Sequence, residues 1–182
     1  ESVVQFKTPG PSKAVLGGIA AVVLAVVGGV AVMLTGGGGL ATDEAVASAT
    51  EAYDTALGKG DWDGALAAVS DLAPEAGELP GGQVLLAEDA LLAGANSTAR
   101  SLAEAQLSSA GAVGARANLV LAAVRRLESP DGYGSAAESY SRAAGCQGAG
   151  CDSVIARAKV GLADACLVVG YGPSACSGVN KV

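Results

Sequence analysis

Two stretches, Gly60-Asp61-Trp62-Asp63-Gly64-Ala65-Leu66 and Asp131-Gly132-Tyr133-Gly134-Ser135-Ala136-Ala137, share the same features. Each opens with a glycine and an aspartate. An aromatic follows, and a small residue comes three positions later. The residues just after successive tight turns are Trp62, Asn96, Tyr133 and Tyr171, spaced 34, 37 and 38 residues apart. Small residues follow each at Ala65, Ala99, Ala136 and Ser174. A period of this size marks supersecondary units that bury their apolar faces by stacking.

Working outward, apolar residues from 42 to 180 recur every three or four positions, the spacing of one helix face. Ala45, Ala49, Ala52, Tyr53, Ala56 and Leu57 form one stripe, and Leu66, Val69 and Leu72 the next. Further stripes run over 84–92, 102–107, 119–127, 136–144 and 154–169. Glycine- and proline-bearing turns separate them, at 58–60, 79–82, 94–96, 129–132, 145–150 and 170–173. The pattern predicts an all-α domain of seven helices of about 12–18 residues and a short eighth.

The turn and second-helix residues resemble the tetratricopeptide repeat family. The signature is carried by Gly60, Trp62 and Ala65, with Leu72 and Pro74 beyond, and by Tyr133, Ala136 and Tyr140, with Ala143 beyond. The resemblance spans roughly residues 45–178, about three and a half units. The unit at Asn96 lacks the aromatic, and the last has Pro173 and a truncated second helix. The resemblance implies that the turn aromatic packs on a neighbouring helix. It also implies that small residues let paired helices approach closely, and that the array displays a concave groove for a partner. An irregular helical bundle is the alternative.

Upstream, residues 14–34 read AVLGGIAAVVLAVVGGVAVML without a charge. As a helix this run is about 31 Å long, the thickness of a bilayer's hydrocarbon core. It exceeds a secretory signal's apolar stretch. The expected organisation is a tail over 1–13, a transmembrane helix over 14–35, a glycine-rich linker over 36–41 and an exported domain over 42–182. Lys7 and Lys13 precede the span, while Asp43 and Glu44 follow it. The positive-inside rule then puts the N-terminus in the cytoplasm and the helical domain outside a bacterial inner membrane. Gly17, Ala21, Ala25 and Gly29 recur every four residues and predict a face for close packing on a partner helix.

The composition excludes several function classes. Of 182 residues, 51% are apolar and only 16% charged, which argues against disorder. A net charge of −7 argues against a nucleic-acid partner. With no histidine, the commonest general base is missing. Charge is uneven: residues 36–90 hold eleven acids and one base, whereas 91–182 hold six acids and eight bases. That asymmetry reads either as a docking surface for a basic partner or as solvated helix faces.

Cys146, Cys151, Cys166 and Cys176 are an even set within an expected exported domain. A short glycine loop separates the first two, and the last two lie five residues either side of Tyr171. The favoured disulfides are Cys146–Cys151 and Cys166–Cys176. The spacing matches neither a zinc nor a dithiol redox motif, so neither metal nor cofactor is expected. Asn96-Ser97-Thr98 fits a glycosylation sequon but reads better as a helix N-cap. Gly36 to Gly39 lacks the lysine and preceding strand of a phosphate loop.

The expectation is a non-catalytic interaction or scaffolding subunit of a bacterial membrane complex. Its partners would be other membrane subunits and, through residues 14–35, the lipid bilayer. The rival expectation is a self-assembling structural envelope protein, a homo-oligomer or filament.

Overall fold

The computed structural model describes residues 43–72, 74–170, 174–177 and 179. The tail, the expected span with Gly17, Ala21, Ala25 and Gly29, the linker and Tyr171 lie outside the described residues. Among the described residues, no helix is long and apolar enough to cross a membrane.

The described chain is all-α: seven α-helices and three 3-10 turns, with no strand among the described residues. The helices are α1 (Asp43–Lys59), α2 (Trp62–Ser70), α3 (Pro80–Leu92), α4 (Asn96–Ala105), α5 (Gly111–Glu128), α6 (Tyr133–Ala144) and α7 (Cys151–Val169). Turn chemistry sets their boundaries. Gly60 takes φ +71° and Gly94 φ +76°, the left-handed conformation that glycine adopts without strain. Each closes its helix with paired backbone bonds. Gly60 N–H donates to Leu57 O at 3.0 Å and Asp61 N–H to Ala56 O at 2.9 Å, and Gly94 and Ala95 repeat the pattern on Leu91 and Ala90. Asp61 then caps α2, its carboxylate accepting from Gly64 N–H at 2.9 Å. Pro80 opens α3, where a missing N–H costs nothing. The third turn differs: Ser129 is extended and Pro130–Gly132 form a 3-10 turn, so more residues separate α5 from α6.

Trp62, Asn96 and Tyr133 are the first residues of α2, α4 and α6. Three positions on, Ala65, Ala99 and Ala136 are fully buried. Asn96 is not the cap expected of it. Ala95 holds the N-cap position of α4, no side chain bonds there, and Asn96 Oδ1 is buried without a partner. The left-handed closure at Gly94–Ala95 brings the chain into the helix one residue before the asparagine. The stripe on α1 is also shifted: Val46, Tyr53 and Ala56 are buried, whereas Ala45 and Ala52 are exposed. With so many alanines, spacing alone does not choose between neighbouring faces.

Packing is serial. Each helix packs on the next, and the odd-numbered helices also pack on one another, α1 on α3, α3 on α5 and α5 on α7. Val46, Gly81 and Val113 meet near the first turns of α1, α3 and α5, so these helices run in one direction. The core divides accordingly into three clusters. One joins α1, α2 and the start of α3, the second α3 to α5, and the third α5 to α7 with Cys176. Close approach explains the small side chains. At Gly161 of α7, an added Cβ would overlap the ring of Tyr140 on α6.

The last unit ends in a 3-10 turn, Ser174–Cys176, in place of an eighth α-helix among the described residues. The structure pairs Cys146 with Cys151 and Cys166 with Cys176, each with Cα atoms 5.7 Å apart. Both bonds tie the ends of α7, the last α-helix among the described residues.

Candidate functional site

The odd-numbered helices present their inner sides to a cavity of about 540 Å³. Its walls are apolar: Leu57 from α1, Leu91 and Leu92 from α3, Leu119 and Val120 from α5, and Tyr140 from α6. A cavity of this size accepts a few side chains, with polar groups fixing their orientation. Trp62 lies on its lining yet is 58% exposed, and Leu92 is 41% exposed.

The polar groups at this site come from four helices. Arg116 of α5 is almost completely buried and donates to Glu88 of α3 at 2.5 Å and to Asp54 of α1 at 2.9 Å. Arg157 of α7 reaches Glu88 at 3.1 Å and stands 3.6 Å from Asp54. Ser153 Oγ, one turn earlier on α7, donates to Asp54 at 2.8 Å. Tyr53 lies under Arg116, whose guanidinium carbon is 5.7 Å from the ring centroid. Two carboxylates thus face two guanidiniums, and their formal charges cancel. The network ties the first odd helix to the last.

The electrostatics follow from burial. Burial alone would lower the Arg116 pKa, but the carboxylates of Glu88 and Asp54 outweigh it and hold Arg116 above its ordinary value. Burial, reinforced by Glu88, pushes the Tyr53 phenol well above the usual tyrosine range. Burial likewise raises Asp89, the neighbour of Glu88. Three polar atoms of the network are buried without a hydrogen bond: Asp54 Oδ1, Arg116 Nε and Arg157 Nη1. Such a network holds helices in register and lays a polar floor beneath apolar walls.

The residues of the repeat signature divide between structure and cavity. Gly60 makes the α1–α2 turn, while Ala65 and Ala136 are packed out of reach of solvent. Tyr140 is buried against α7 and also lines the cavity. Tyr133 is partly buried beneath Arg126, 5.4 Å from its guanidinium carbon. Trp62 is not the packed turn aromatic that the resemblance implies. It stands at the first residue of a nine-residue helix, on the cavity's rim. The four cysteines lie outside the cavity lining.

Asp54, Glu88, Arg116 and Arg157 were not singled out by motif. A signal was present for two of them. Glu88 interrupts the apolar run 84–92, and Arg116 sits among small and apolar residues from Val113 to Leu121. A charge inside a buried stripe demands a partner. The partners lie 28 and 62 residues from Arg116, beyond any local pattern.

No family model matches the chain, and no curated protein or solved structure matches it.

Proposed function

We propose that this chain is a non-catalytic, membrane-anchored interaction subunit whose exported helical array holds an apolar segment of a partner protein in the cavity of the odd-numbered helices. The observation that carries the reading is the half-exposed Trp62 beside Leu92 on an apolar-walled cavity. Large aromatics left in water at a concave site are the usual anchors of protein recognition. The tetratricopeptide-like arrangement is supported by the serial packing and by Trp62, Asn96 and Tyr133 opening successive even helices. Residues 14–35 serve as the anchor, supported by their length and hydropathy. Two cysteine pairs at bonding distance favour an oxidising compartment, in keeping with a domain outside the bacterial inner membrane.

The test is gentle detergent extraction of the full chain, with its complex quantified for the native protein and for Trp62→Ala and Leu92→Ser. Both residues are exposed enough to be replaced without emptying a core. The expected result is loss of one membrane subunit from the complex in both variants, with circular dichroism unchanged. Retention of every partner at native stoichiometry in both would overturn the reading.

A further inference from the structure

The two disulfides sit in different surroundings. Cys166 and Cys176 are both fully buried in the core cluster of α5 to α7. Cys146 is partly exposed, and it joins Cys151 across Gln147, Gly148, Ala149 and Gly150, all four of them exposed. A dithiol in solution therefore reaches the first bond before the second.

The more exposed bond also restrains one wall of the cavity. Cys146 is fixed to the end of α6, its N–H donating to Ala143 O at 3.1 Å. Cys151 is the first residue of α7, and the N-cap before it, Gly150, makes no side-chain bond to the first turn. An uncapped first turn frays readily, and here the disulfide ties it down. Two residues on, Ser153 Oγ donates to Asp54 of α1 at 2.8 Å. One turn later Ala156 and Arg157 join Ser153 on the cavity lining, and Arg157 bonds Glu88 at 3.1 Å. Val154 and Ala158 are fully buried, so a loosened first turn leaves α7 docked on the core.

We infer that Cys146–Cys151 is a dithiol-operated latch on the α7 wall of the cavity, a regulation that rests on the cavity reading for the partner it controls. A thiolate of the dithiol attacks Cys146 Sγ, the S–S bond breaks, and Cys151 leaves as a thiolate that takes up a proton. The second thiolate of the same dithiol then closes the reagent's own disulfide and releases Cys146, which is protonated in turn. Two electrons and two protons pass to the protein. The freed first turn gives up the Ser153–Asp54 bond, and the α7 wall slackens. Coupling is reciprocal, so the Ser153–Asp54 bond in turn helps to hold the latch closed.

The test equilibrates the full chain in detergent with graded mixtures of reduced and oxidised dithiothreitol, then alkylates free thiols and maps them by mass spectrometry. Cys146 and Cys151 are expected to label at ratios where Cys166 and Cys176 stay bonded. At those ratios hydrogen exchange quickens at Ile155 to Ala158, whose helical acceptors are the first-turn carbonyls, while the end of α7 is unchanged. Ser153→Ala shifts the opening equilibrium of Cys146–Cys151 about 5-fold or more toward the free thiols, with Cys166–Cys176 unmoved. Opening of both bonds together overturns the inference. So does exchange at Ile155 to Ala158 that ignores reduction, or an opening equilibrium that Ser153→Ala leaves at its native value. None of these readings uses a partner or Trp62, so the latch can fail while the cavity reading holds, and the cavity reading can fail while the latch stands.

Discussion

Arg116 is the residue on which the inner side of the fold turns. Its guanidinium is buried with Glu88, and the charge is tolerable only because both carboxylates are in place. Arg116→Met removes one partner and leaves two carboxylates behind, at an expected cost of about 3–5 kcal/mol in chemical denaturation. Adding Glu88→Leu to that variant removes the surplus buried carboxylate, leaves Asp54 facing Arg157, and recovers part of the loss. A double variant no more stable than the single one would contradict this account. Tyr53 makes a prediction about pH. Its folded pKa is raised by burial and by Glu88, so its contribution to stability is fully present below the unfolded value of about 10. That contribution is lost as pH climbs beyond it, because only the unfolded phenol then gives up its proton. Tyr53→Phe should therefore flatten the alkaline limb of a stability-versus-pH curve. An unchanged limb would mean that the phenol is not shielded.

At the scale of elements, the small residues decide how closely helices approach. Gly161→Ala pushes a methyl group into the Tyr140 ring between α6 and α7, and overpacking of this kind costs about 1–3 kcal/mol. Thermal unfolding should show the loss, and Gly134→Ala, in open space on α6, serves as the control. The disulfides act on the same pair of elements. Reduction frees both ends of α7, so hydrogen exchange should accelerate first in α6 and α7 and last in α3 to α5. Uniform acceleration across all seven helices would contradict the serial core. This is also where the sequence was most legible. The positions after tight turns give the starts of α2, α4 and α6: left-handed Gly60 and Gly94 close the helices before the first two, and the Pro130–Gly132 3-10 turn precedes the third. The inward face was less legible. In α1 several stripes of alanine are equivalent by spacing, and only contact with Leu85 and Val69 selects the one through Tyr53. Asn96 shows the same limit, since one residue of turn geometry moved the cap to Ala95.

For the whole molecule, the uneven charge along the chain has a partly internal use. Asp54 and Glu88 come from the acidic half and Arg116 and Arg157 from the half richer in bases, and they meet behind one cavity. No local pattern announces that meeting, because Asp54 and Ser153 lie 99 residues apart and are joined only by the stacking of odd helices. Other acids of that half, such as Glu51, Asp63 and Glu75, are exposed. The cavity follows from the same stacking. Its walls are apolar side chains, most on odd helices with Tyr140 from α6, and its exposed rim carries Leu92 and the chain's single tryptophan.

Site-specific photocrosslinking tests the central claim, that this cavity holds a partner's apolar segment, most directly. A photoreactive residue at Leu92 of the full chain, on the cavity rim, should yield one dominant adduct that maps to an apolar segment of another membrane subunit. The same group at Glu138, exposed on α6 and outside the cavity lining, should not yield it. No adduct at Leu92, or the same adduct from both positions, would contradict the account.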